Sequence, residues 1–168
     1  ILGPGILTAD DISDALGVPV AYDKALSQKP DGADFKPKAP GMKYKHYAPR
    51  AAVTLLTGTD QDVDCALQAL ASDASNGILC DEERYALLSK SPAVVLSLGA
   101  RNNPDVQAHR LFAALRQFDQ TDVRHIWAPV PQKKGVGLAV YNRLMKAAGF
   151  CVVEAQTLLQ NTSEHKGV

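Results

Sequence analysis

Between residue 51 and about residue 155, short apolar runs alternate with amphipathic stretches, and this alternation restricts the possible folds more than any other feature of the chain. Val53 to Leu56, Gly77 to Cys80, Ala93 to Leu98, His125 to Ala128 and Phe150 to Val153 read as five strands. The run from Ala93 to Leu98 is apolar throughout, as in strands covered on both faces. Helical spacing fills the gaps. Val63, Leu67 and Leu70 share a face of Asp60 to Ala71, and Asp81 to Leu88 makes a short acidic helix. Pro104 to Phe118 is the clearest helix, with Asn103 as its cap and Pro104 in its first turn. Gly137 to Ala148 is the last, stopped by Gly149. Strand and helix in strict turn require crossover connections, so the expected fold is a three-layer, Rossmann-like α/β domain with a five-stranded, mainly parallel sheet.

The flanks are of another kind. Residues 1–28 hold a short apolar run with two glycines and a proline, then a small helix. Thr8 caps that helix, Asp10 and Asp11 sit in its positive first turn, and Gly17 ends it. Alone, this piece buries almost nothing. The chain also opens on Ile1 and Leu2, without Met and as if inside a strand, which points to part of a longer protein. Residues 29–50 carry Pro30, Pro37, Pro40 and Pro49, so a semi-rigid extended linker is expected. Residues 156–168 are polar and aperiodic and read as a flexible tail.

Eighteen basic side chains balance eighteen acidic ones, so no overall field announces nucleic acid or a membrane. The linker breaks the balance: Lys29, Lys36, Lys38, Lys43, Lys45 and Arg50 face only Asp31 and Asp34. Cys65, Cys80 and Cys151 lack metal or redox spacing and read as small buried hydrophobes in a reducing, cytoplasmic compartment. No apolar run has the length of a membrane span.

Chemistry is concentrated in the linker. Ala39 to Pro49 places Tyr44, His46, Tyr47, Lys43 and Lys45 between prolines. Lysines pair with phosphates, and Tyr47 can stack on a base or hydrogen-bond an anion. In extended chain, Lys43, Lys45 and Tyr47 share one side, with Tyr44 and His46 on the other. The bland alternative is that these rings pin the linker to a neighbouring domain. In the α/β segment, the strand ends lead into Thr57 to Asp60, Asp81 to Glu83, Gly99 to Asn102 and Gln132 to Gly137. The last combines lysines and glycines before a helix but lacks a full phosphate-loop fingerprint, so a structural turn is favoured. Asp81, Glu82 and Glu83 read as helix-start acids, and His109 and His125 as structural. Residues of this segment form no recognisable catalytic constellation.

Ala39 to Pro49 resembles the linker signature of the two-domain threonylcarbamoyl-AMP synthases, close to Ser-Pro-Gly-Met-Lys-Tyr-Arg-His-Tyr-Ala-Pro. Ile1 to Ile6 resembles the closing strand of their YrdC-like catalytic domain, and Gly135 to Ala148 the last helix of their C-terminal Rossmann-like domain. The resemblance implies an enzyme that joins threonine, bicarbonate and ATP, with magnesium, into threonylcarbamoyl-AMP. A partner system then modifies tRNA. It implies that residues 1–28 are a remnant of the catalytic domain, which is otherwise missing, and that the fragment alone is inactive. Tyr47, with His46, Lys43 and Tyr44, falls where the family's linker closes over the nucleotide. Gly3 falls where the family commonly has a nucleotide-contacting Arg. The competing expectation is a regulatory module that binds a nucleotide or RNA through loops around Gly58, Arg101 and Lys133.

Overall fold

A computed structural model describes residues 1–3, 5, 7–23 and 48–164. The elements in chain order are α1 (Ala9–Leu16), β1 (Ala52–Thr57), α2 (Asp60–Leu70), β2 (Asn76–Cys80), α3 (Glu82–Leu88), β3 (Val94–Ser97), α4 (Pro104–Phe118), β4 (His125–Pro129), α5 (Gly137–Ala147), β5 (Val152–Glu154) and α6 (Ala155–Glu164). The five strands form one sheet in the order β3-β2-β4-β1-β5, and every pairing is parallel. Val53 of β1 stands opposite Ile126 of β4, and Gly77 of β2 opposite Val94 of β3 and Ile126 of β4.

Alternation along β1 divides the interior in two. Val53 and Leu55 point to a core shared with Leu111, Leu115 and Phe118 of α4 and Val140 and Leu144 of α5. Leu56 points to the other core, with Ile78 of β2, Val63 and Leu67 of α2, Leu88 of α3 and Ala155 at the start of α6. Helices on both faces give the three layers expected from the alternation. Phe118 leaves no room for a side chain at position 77, where a Cβ would lie 2.6 Å from its ring. The β2–α4 contact is therefore built around Gly77.

Three expectations need correction. Residues 155–164 form a helix that packs on α2, not a flexible tail. Leu158 and Leu159 pack on the second core beside the buried Ala155, while Gln156, Thr157, Gln160 and Asn161 are exposed. The opening residues 1–3 adopt no strand; the Ile1 amino group instead donates to the Ala21 carbonyl at 2.6 Å, and Asp23 N–H donates to the Ile1 carbonyl at 2.9 Å. A lone apolar run without a paired neighbour has no ladder to join. Of the cysteines, only Cys80 is buried, because Cys65 lies on the outer face of α2 and Cys151 in the turn before β5. Helix α1 has its cap and its Gly17 stop as expected, at φ 67°, and buries none of its residues. No helix among the described residues is long and apolar enough to cross a membrane.

Candidate functional site

Strands β1 and β2 lead into α2 and α3 on one face, whereas β4, lying between them, leads into α5 on the other. Chains that diverge to opposite faces leave a crevice beyond the carboxyl ends of the strands. A cavity of about 350 Å³ occupies this crevice, bordered by Gly58 after β1, Asp81 after β2, Arg101 after β3 and Pro131 and Lys134 after β4. The four strand-end loops picked out from the sequence thus meet at one place.

Glycine shapes two sides of the opening. Gly58 has φ 134°, and a Cβ there would lie 2.8 Å from Oε1 of Glu154. Gly137 starts α5 so near the preceding loop that a Cβ would meet the Gln132 carbonyl oxygen at 2.8 Å. The Gln132 to Gly137 segment is therefore a tight turn first. Lys133 leaves the cavity and lies over the Tyr141 ring, 4.8 Å from its centroid, while Lys134 borders the cavity.

Sequence reading missed Arg84. Its side chain is 7% exposed, and Nε donates to Asp64 at 2.5 Å, Nη1 to Asp81 at 2.6 Å and Nη2 to Asp60 at 2.8 Å. Asp60 and Asp64 lie one turn apart on α2, which was the one signal available beforehand. Asp81 caps α3 by accepting from the Arg84 backbone N–H at 2.9 Å, as its place at a helix start implied. It also holds Arg101, whose Nε donates to it at 3.2 Å and whose Nη1 donates to Asp60 at 3.3 Å. Glu83 fixes the Arg101 backbone by accepting its N–H at 3.0 Å.

The electrostatics follow from burial. Desolvation pushes the Asp81 carboxyl up, but the Arg84 N–H and the two guanidinium charges outweigh it and hold the group below the usual carboxylate range. Burial likewise works against the Arg84 charge, and its bonds to Asp64, Asp60 and Asp81 overcome it, so Arg84 stays charged. Cys80, which also borders the cavity, is pushed up to about 12 by burial and is no nucleophile at neutral pH. Among the described residues, no group of His, Cys, Asp and Glu is placed to hold a metal ion. The arrangement offers recognition by charge and shape.

His125 stacks on Trp127 with centroids 4.2 Å apart, and its Nε2 lies 2.9 Å from the Thr54 hydroxyl at the opposite end of the sheet. His109 lies exposed on α4. The linker candidates Lys43, Tyr44, His46 and Tyr47 lie outside the described residues. Gly3 is described, and nothing among the described residues lies within 4 Å of a Cβ placed there.

A parallel, doubly covered sheet with a cavity at its switch point defines a Rossmann-like α/β domain. Residues 7–149 match the family described as threonylcarbamoyl-AMP synthase, C-terminal domain, and the chain belongs to that family. It is 38% identical over 154 residues to the threonylcarbamoyl-AMP synthase of Bacillus subtilis, covering 91% of this chain and 42% of that protein. It is 32% identical over 161 residues to the Pyrococcus abyssi synthase, covering 92% and 43%. The crystal structure of the Pyrococcus abyssi protein complexed with L-threonine superposes with a TM-score of 0.72 at 33% identity, over 91% of this chain and 43% of that one. The chain therefore spans less than half the length of these relatives and corresponds to the C-terminal part of a two-domain synthase.

Proposed function

We propose that this chain serves as the linker and C-terminal domain of an L-threonylcarbamoyladenylate synthase, a cytoplasmic enzyme of tRNA modification. The parent would join threonine, bicarbonate and ATP, used with magnesium, into threonylcarbamoyl-AMP and release pyrophosphate. The observation that carries this reading is the family match over residues 7–149. The chemistry belongs to the portion of the relatives that this chain does not span, so the 168 residues alone are inactive. Their part is mechanical: the α/β domain anchors the linker, and Tyr47, flanked by His46, Tyr44 and Lys43, closes over the nucleotide. Closure excludes water and retains a labile mixed anhydride.

Residues 1–23 support the existence of a partner surface. Leu2, Leu7, Leu16 and Val18 are all exposed, between 39% and 66%. Four large apolar side chains in so short a segment fit a face that docks on the catalytic domain. An assay of threonine- and bicarbonate-dependent pyrophosphate release from ATP should give no turnover with this chain. In the two-domain parent, Tyr47→Ala should lower turnover or release the adenylate about tenfold faster. An unchanged rate together with unchanged release would reduce Tyr47 to packing.

A second reading, a regulatory module that binds a nucleotide or RNA, draws on the cavity that gathers the Gly58 and Arg101 loops. Calorimetry of this chain with ATP, AMP and a tRNA separates the two readings, since heat from any of them favours the module.

A further inference from the structure

The cavity wall carries two carboxylates, Asp60 and Asp81, and three cations, Arg84, Arg101 and Lys134, while Asp64 pairs with Arg84 from outside the lining. Arg84 is locked by contacts of 2.5 to 2.8 Å, and its burial makes it part of the frame. Arg101 is held more loosely. Its two contacts are 3.2 and 3.3 Å, its side chain is 37% exposed, and its Nη2 has no hydrogen-bond partner among the described residues. The Asp60 carboxylate is 74% exposed and shares its oxygens between Arg84 and Arg101. An exposed pair at such a distance contributes little to stability, so a ligand can open it at small cost.

The charge on that ligand follows from what opening leaves behind. An anion that took Arg101 would strand Asp60 Oδ2, and a cation that took Asp60 would strand Arg101. A molecule with both charges about 3 Å apart satisfies both and leaves the net charge of the wall unchanged. The rest of the lining sets apolar Leu56, Leu98, Val130 and Leu144 beside polar Thr57, Gln107 and Gln132. The volume, at the lower end of the range for small-molecule sites, leaves space for a side chain beyond the charged groups.

We propose that this cavity is a binding site for a free zwitterionic α-amino acid with an apolar side chain. Its carboxylate is held by Arg101, with Lys134 as a second cation, and its ammonium by Asp60. The site belongs to the C-terminal domain alone and does not depend on the enzymatic reading above, in which threonine is consumed by the portion of the parent outside this chain. Loss of catalysis in the parent and loss of binding here are separate results.

The test is calorimetry and thermal denaturation of the 168-residue chain with L-leucine, L-methionine and L-phenylalanine. At least one should bind and raise Tm. N-acetyl-L-leucine, which lacks the ammonium, and L-leucinamide, which lacks the carboxylate, should each bind about tenfold or more weakly than L-leucine. Arg101→Gln should weaken amino-acid binding similarly while the unliganded Tm stays close to that of the original chain, and Arg101→Lys should restore part of the affinity. Silence from all three amino acids overturns the proposal, as does AMP or inorganic phosphate binding more tightly than any of them. Undiminished affinity in Arg101→Gln also overturns it.

Discussion

Helices α1 and α3 are both short, both begin with side-chain caps and acidic first turns, and yet have opposite fates. In α1 the Thr8 hydroxyl accepts from the Asp11 N–H at 3.1 Å and Asp11 returns the bond to the Thr8 N–H at 2.8 Å, a complete capping box. No residue of this helix is buried. In α3 the cap is Asp81 alone, but the same carboxylate grips Arg84, and Leu88 enters the core. Local signals are stronger in α1, whereas only α3 of the two buries side chains. Capping places a helix start, and packing decides what that start is worth to the molecule.

The largest difference between the two should come from Arg84→Ala. It leaves the buried Asp81 carboxylate without its main partner, and removal of one member of a buried pair costs about 3–5 kcal/mol. The urea midpoint of the α/β domain should fall accordingly. A loss below about 1 kcal/mol, the usual value of an exposed pair, would place the network at the surface energetically and erase the contrast.

Acid should separate the helices next. Asp11 is held below its ordinary pKa by the side-chain and then the backbone hydrogen bond of Thr8. For Asp81, burial acts upward and is outweighed by Arg84. A carboxyl whose folded pKa lies below its unfolded value of about 3.9 stabilises fully above that value and loses the contribution as pH falls through the folded pKa. Acidification below about pH 4 should therefore weaken both caps, but only the Asp81 loss is coupled to the core. The urea midpoint of the domain should drop between pH 5 and pH 3 in the native sequence and drop less in Arg84→Ala. Equal drops in both would sever Asp81 from the acid response.

The smallest effect belongs to Thr8→Ala. Loss of an exposed cap removes about 1 kcal/mol of local helix stability. Amide exchange in residues 9–16 should quicken several-fold while the urea midpoint of the α/β domain stays fixed. Movement of that midpoint would mean that α1 is anchored after all.

Regular elements were legible because their signals are local. Pro104 to Phe118 has the same bounds in sequence and structure, since Asn103 caps by accepting from the Val106 N–H and Pro104 fixes the first turn. The β1 and β4 runs extend by only one or two residues beyond their apolar cores. Helix α6 was not legible, since its Gln, Asn, Thr and Ser residues mask the Leu158–Leu159 contact that orders it. The candidate site was half legible. The strand-end loops could be named, but the meeting of Asp60, Asp64, Asp81 and Arg84 spans more than twenty residues of chain and two helices. The linker residues Lys43, Tyr44, His46 and Tyr47 stand on the sequence signature, outside the described residues.

The amino-acid sequence by itself determined the α/β class, the five strands and nearly all helices, because periodicity, caps and glycine stops act within a few neighbouring residues. It also carried the family signature between Ala39 and Pro49. Only tertiary structure decided the order β3-β2-β4-β1-β5 and, through it, which loops share a cavity and which arginine stays loose beside it. Strand order depends on how far each crossover travels across the sheet before pairing, and that distance is settled by the packing of distant side chains on both faces.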